Sequence, residues 1–154
     1  MISFDLSEEQ VLIKKTAKEF AKNELLKNVV ERDEKKIWPR EQVKKMADLG
    51  FLGMMVNEKW NGGGMDTISY SIAMEEIAAI DASASVIMSV NNSLVCYLIE
   101  HFGNQFQKEK YLKKLASGKK IGAFSLSEPQ SGSDASNMIT TAKKEGDYWI
   151  INGT

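Results

Sequence analysis

Two prolines, one cysteine and one histidine stand in the 154 residues of this chain, and each scarcity excludes something. Cys96 alone cannot close an internal disulfide, and with His101 it cannot complete a zinc ligand set, so disulfide frameworks and His/Cys metal centres are excluded. Any Ser-His-Asp or Cys-His nucleophilic site would have to use His101, which has no partner motif around it. An excess of charge of either sign is also missing: 20 Lys and Arg face 21 Asp and Glu, a net charge of -1, spread along the chain. No basic face is therefore offered to nucleic acid or anionic lipid. No run of about 18 consecutive apolar residues is present, and the N-terminus lacks a basic segment followed by an apolar signal core. Neither a membrane span nor a leader is expected, and a cytoplasmic, prokaryotic setting is.

What is present is ordinary for a folded body. Hydrophobic residues are 43% and charged residues 27%, too apolar for a disordered chain, and a chain of this length buries about two thirds of its unfolded surface. Ser7-Glu8-Glu9-Gln10 is a capping box that opens a helix, with Ile13, Ala17, Phe20 and Ala21 at helical spacing and Leu25 and Leu26 carrying the stripe onward. The charge run from Glu31 to Lys36 reads as a solvated face or turn. Trp38-Pro39 restarts a helix with Val43, Met46, Ala47 and Leu49 on its apolar face, and Gly50 caps it. Trp60-Asn61-Gly62-Gly63-Gly64 reads as a flexible loop without the Gly-Lys-Ser/Thr of a phosphate cradle. Asp66 caps a further helix with Ile68, Ile72, Ala73 and Ile77 on one side. The next, from about Ala82 to Phe102, carries Val86, Ile87, Val90, Leu94, Val95, Leu98 and Ile99 over more than one face, which predicts a central, buried helix. Asn104-Gln105-Phe106-Gln107 is a second capping box, and Tyr111, Leu112 and Leu115 pack the last helix before Gly118.

After Lys120 the period shortens to about 2, predicting strands at Ile121–Leu126, Asn137–Lys143 and Tyr148–Ile151, the last two joined by a turn at Glu145-Gly146-Asp147. Asn152-Gly153 is a further hairpin signal with no strand following it, so the β domain is expected to be incomplete. We expect a helical domain over residues 1–120 and the start of a β domain over 121–154. The loop from Leu126 to Asp134 concentrates Ser127, Ser131, Ser133, two carboxylates and a glycine at a strand end, where polar ligands are held. Glu128 and Asp134 are candidates for an acid/base pair, although turns produce that spacing by chance. Cys96 reads as a small core residue, His101 as a helix-end side chain, and the eight methionines as core filler.

Several runs occur in order along the whole chain: Leu6-Ser7-Glu8-Glu9-Gln10, Gly50-Phe51-Leu52-Gly53, Gly103-Asn104-Gln105-Phe106-Gln107-Lys108, Gly122-Ala123-Phe124-Ser125-Leu126-Ser127-Glu128-Pro129 and Gly132-Ser133-Asp134-Ala135. In this series the sequence resembles the acyl-CoA dehydrogenase family, with Ser127 where threonine is commoner and no proline at Val56-Asn57. The resemblance implies a mostly α fold: an N-terminal helical-bundle domain followed by the first strands of a truncated β-barrel domain. It implies an FAD enzyme that oxidises the Cα–Cβ bond of an acyl-CoA to the trans-2-enoyl-CoA. Electrons would pass to an electron-transferring flavoprotein, the full-length protein would be a homotetramer, and the catalytic base would lie beyond Thr154, leaving this chain inactive alone. By the same resemblance Phe124, Leu126, Ser127, Gly132 and Ser133 contact FAD, Ser133 also touches the acyl-CoA, and Val90 and Leu94 line the acyl pocket. The wording is similar to short-chain, butyryl-CoA dehydrogenases. The alternatives are a non-catalytic helical interaction module, or a nitroalkane oxidase or flavin monooxygenase of the same fold, distinguished by the residues past Thr154.

Overall fold

A computed structural model describes residues 5–154, and the chain divides between Ala123 and Phe124 into two compact units. In the first unit the Ser7 box forms as expected: Ser7 Oγ accepts from the Gln10 N–H at 3.2 Å and Gln10 Oε1 from the Ser7 N–H at 3.1 Å. This starts α1 (Glu8–Phe20), which continues through a π-helical turn, Ala21–Leu25. Ile13, Ala17, Phe20, Ala21 and Leu25 are buried, whereas Leu26 is exposed and leaves the stripe. Helix α2 (Val29–Glu34) follows, then α3 (Arg40–Asp48), which begins at Pro39 and buries Val43 and Met46. Leu49, expected on the same face, is exposed, and Gly50 turns the chain at φ +78°.

The glycine loop is not flexible in character. Trp60 is buried, and the N–H groups of Gly63, Gly64 and Met65 donate to the carbonyls of Gly53, Val56 and Met54. A Cβ at Gly62 would stand 2.0 Å from the Val56 carbonyl oxygen, so that glycine serves close backbone approach. Asp66 caps α4 (Thr67–Ala78) through the Ser69 N–H at 2.7 Å. Ser69, Tyr70, Ile72, Ala73 and Ile77 are buried, but Ile68 is 58% exposed. At 3.6 residues per turn Ile68 lies about 130° from the centre of that face, which the spacing of Ile68 and Ile72 alone conceals.

Helix α5 (Ala82–Phe102) combines α-helical ends, Ala82–Ser89 and Tyr97–Phe102, with a π-helical middle, Val90–Cys96. By length and a mean hydropathy of 1.4 it could cross a membrane, a possibility hidden from a search for unbroken apolar runs. The expectation of an all-round buried helix is corrected in an instructive way. Its buried face is Ala84, Ser85, Met88, Asn91, Asn92 and Cys96, while Val86, Leu94 and Leu98 are exposed. The last helix of the unit, α6, covers residues 105–116 with a π-helical centre, Lys108–Leu112. Its capping box forms at Asn104 and Gln107, and Leu112 and Leu115 are buried while Tyr111 is exposed.

Helices α1, α4 and α5 enclose the larger core around Phe20, Met46, Leu52, Ile77 and Met88, with Phe51 edge-on to Phe20 at 5.8 Å. Val56, Trp60, Cys96, Leu112 and Leu115 form a smaller cluster beneath α6. The second unit holds a hairpin, β1 (Thr141–Glu145) and β2 (Tyr148–Asn152), paired Ala142 to Ile151 and Lys143 to Ile150 around Gly146-Asp147. The expected strand at Ile121–Leu126 is absent among the described residues, and that at Asn137–Lys143 begins later, after a 3-10 turn at Ala135–Asn137. A strand needs a neighbour to complete its hydrogen bonds, and alternation alone does not supply one.

Candidate functional site

Two surfaces carry the residues singled out in the sequence. The first is the outer face of α5. Asp81 opens this helix: Oδ1 accepts from the Ala84 N–H at 2.9 Å while Oδ2 lies 2.8 Å from Arg32. Arg32 also donates to the carbonyls of Leu25 and Lys27, so the charge run of residues 31–36 is no purely solvated face. The Arg32 side chain is nine-tenths buried, and its Nε has no hydrogen-bond partner among the described residues. Beside this pair opens a groove of about 890 Å³ walled by Val29, Trp38, Ile80, Val86 and Ile87.

Further along α5, Asn91 and Asn92 turn inward. Asn91 Nδ2 donates to the Leu52 carbonyl at 2.7 Å and the Leu115 carbonyl at 3.1 Å, and its Oδ1 accepts from the Gly122 N–H at 2.9 Å. Asn92 Nδ2 donates to the Phe51 and Met88 carbonyls. Loop carbonyls buried in the unit need donors, and two adjacent amides provide them. In the π-helical stretch the Tyr97 N–H reaches back to the Asn92 carbonyl, an extra residue per turn that moves Cys96 inward and keeps Val90 and Leu94 outward. Val90 is half-buried and Leu94 is 37% exposed, so an apolar stripe of α5 faces away from the core.

The second surface lies in the other unit. Among the described residues the backbone of Ala123–Ser127 makes no hydrogen bond, and Phe124, Leu126 and Ser127 are exposed. The chain then closes a turn in which Glu128 and Ser131 exchange backbone bonds of 2.9 and 3.0 Å, and buried Ser131 donates its hydroxyl to the Asp134 carbonyl. Gly132 and Ser133 stand exposed on that turn, and a Cβ at Gly132 would meet open space. Backbone with free donors, flanked by apolar side chains and hydroxyls, suits a flat ligand with a polar edge.

Glu128 has a different task from acid/base chemistry. Its carboxylate accepts the backbone N–H groups of Ile139 at 2.8 Å and Thr140 at 3.0 Å. Hydrogen bonds from Thr140 and from the Ile139 amide pull its carboxyl down to about 2, so it stays ionised and engaged. Cys96 is buried, and desolvation, with Glu100 nearby, pushes its thiol up to about 12. His101 Nδ1–H donates to the Tyr97 carbonyl at 2.9 Å, and the ring stacks on that of Tyr97 at 4.0 Å, on the surface. The Arg32–Asp81 pair and the Asn91 network were not found by sequence reasoning. A signal existed for the second: adjacent asparagines inside an apolar helix are poor helix formers that need a reason to be there.

The first unit is a helical bundle whose long helix α5 turns an apolar stripe outward. Residues 7–119 match the family model described as "Acyl-CoA dehydrogenase, N-terminal domain". The chain belongs to the acyl-CoA dehydrogenase family, as the motif series implied. It is 46% identical over 152 residues to the short-chain specific acyl-CoA dehydrogenase, mitochondrial, of Rattus norvegicus, which covers 99% of this chain and 37% of that protein. Among solved structures, butyryl-CoA dehydrogenase from Megasphaera elsdenii superposes with a TM-score of 0.91 at 38% identity, covering 99% of this chain and 41% of that one. A glutaryl-CoA dehydrogenase from Mycobacterium smegmatis in complex with FADH2 gives 0.91 at 34% identity, over 96% and 38%. The chain thus spans about two fifths of the length of these relatives.

Proposed function

We propose that the protein of which this chain is part is an FAD-dependent dehydrogenase of short-chain acyl-CoA thioesters. The observation that carries the reading is the likeness to short-chain specific relatives along nearly the whole chain. The donor set of the Phe124–Ser127 segment fits the group: backbone donors and the Ser127 hydroxyl are free, and the neighbouring side chains are apolar. Bound FAD supplies the hydride acceptor for oxidation of the Cα–Cβ bond. Phe124 and Leu126 would shield the bound group from water, Ser127 and the adjacent N–H groups would donate hydrogen bonds to it, and Gly132 would leave it room. Ser133 orients the acyl-CoA, and Val90 and Leu94 present the apolar surface on which a short acyl chain rests. The family likeness assigns the α-proton to a carboxylate outside this chain, and Glu128 is engaged with backbone amides. An electron-transferring flavoprotein as acceptor and a homotetrameric assembly complete the reading.

The test is flavin retention by the full-length protein. Ser127→Ala removes one hydrogen bond, worth about 0.5–1.5 kcal/mol, so FAD should bind about 2- to 12-fold more weakly. Equal retention with an unchanged flavin spectrum removes Ser127 from the site. Ser133→Ala should raise KM for butyryl-CoA more than it lowers kcat, as loss of a contact shared by ground and transition states does.

A further inference from the structure

Asn91 lies on α5 between the two residues proposed to face the acyl chain, yet its side chain points the other way. It is fully buried, with Nδ2 donating to two carbonyls and lying 3.8 Å from Cys96 Sγ, and Oδ1 accepting one N–H. Each bond reaches a different segment: the loop after α3 at Leu52, the end of α6 at Leu115, and Gly122 as the chain leaves the helical unit. Gly122 is pinned from a second side, since a Cβ there would stand 2.6 Å from Val95 Cγ1, one turn along the same helix. Neighbouring Asn92 is equally buried and also bonds to loop and helix carbonyls, but it does not touch the exit segment. Of the two asparagines only Asn91 bonds to Gly122; it also ties Leu115, whereas Asn92 Oδ1 has no partner among the described residues.

We propose that Asn91 is a positioning residue for the flavin site: its amide, with the close seat of Gly122 on Val95, anchors the end of the helical unit from which the chain continues into Phe124–Ser127. The assignment rests on the FAD reading above. Its chemistry is passive. The amide moves no proton; it holds one backbone N–H so that the free donors two to five residues later start from a set point. The orientation of the amide is fixed by its partners, because a flipped group would set Nδ2 against the Gly122 N–H and Oδ1 against two carbonyls.

The experiment compares Asn91→Ala, Gly122→Ala and Asn92→Ala in the full-length protein, following thermal stability, FAD dissociation and hydrogen exchange at the Gly122 amide. Both asparagine variants lose buried hydrogen bonds and should fall in Tm. Asn91→Ala and Gly122→Ala should in addition exchange the Gly122 amide roughly tenfold faster and release FAD more readily, whereas Asn92→Ala should do neither. Gly122→Ala leaves the bonds to Leu52 and Leu115 untouched, so it decides the matter if Asn91→Ala fails to fold. FAD loss that simply follows Tm across all three variants overturns the proposal, as does unchanged Gly122 exchange in Asn91→Ala. Absence of FAD from the unaltered protein refutes the cofactor reading and with it the flavin role of Asn91. A shifted Gly122 exchange would then show a clamp of the chain alone.

Discussion

Removing the Asp81 carboxylate tests how the start of α5 is held. The Arg32 and Asp81 side chains are 10% and 6% exposed, and their charged atoms lie 2.8 Å apart. Deleting one member of such a pair costs about 3–5 kcal/mol, chiefly because the surviving charge stays desolvated. Asp81 also caps α5 through Ala84, and loss of an N-cap costs about 1 kcal/mol more. Asp81→Ala suffers both losses, whereas Asp81→Asn keeps an oxygen for the cap and loses the charge. We expect Asp81→Ala to lower stability by about 4 kcal/mol or more, with Asp81→Asn about 1 kcal/mol milder. Against the 5–15 kcal/mol typical of a domain, this is a large share. Urea unfolding followed by far-UV circular dichroism measures it, and a cycle with Arg32→Met should return a coupling of about 2–3 kcal/mol. The exposed pair Lys35–Glu31 is the control, expected to contribute about 0.5 kcal/mol or less. An Asp81→Ala loss below about 1 kcal/mol, or a coupling no larger than that of the control, would refute the role given to this pair.

Three further outcomes follow from the same geometry. The Glu128 carboxyl is depressed to about 2 in the folded chain, so what it contributes to the second unit is complete above its ordinary value near 4.5 and is lost as pH falls toward 2. The amide protons of Ile139 and Thr140 should titrate with that low midpoint in nuclear magnetic resonance spectra and cease to do so in Glu128→Ala; a midpoint near 4.5 would contradict the bonding described. Gly62→Ala should destabilise the helical unit far more than Gly50→Ala: the first drives a methyl into the Val56 carbonyl, the second meets open space and costs about 1 kcal/mol of left-handed strain, and similar Tm values for the two would be inconsistent with the packed loop. Cys96 should resist thiol reagents at pH 8 until urea unfolds the chain, whereas labelling at the rate of a free thiol would mean that α5 opens readily.

By itself the sequence determined what is local. Ser7 and Gln10, Asn104 and Gln107, and Asp66 lie within one turn of the groups they satisfy, so the starts of α1, α6 and α4 were legible from spacing, as was the turn at Gly146-Asp147. The ordered motifs identified the family as well, because they mark many such local fits at once. Tertiary structure decided whatever depends on residues far apart in the chain. Arg32 left the charge run for the core because Asp81, 49 positions away, was there to receive it. The hydrophobicity of α5 said that it was central, but the inward face went to Asn91 and Asn92, since carbonyls from Phe51, Leu52 and Leu115 converge on that side and buried carbonyls need donors more than the core needs another valine. The expected strand at Ile121–Leu126 shows the same limit from the other direction. Alternation prepares a segment for pairing, and hydrogen bonds to a neighbouring strand, which no local pattern contains, make it a strand.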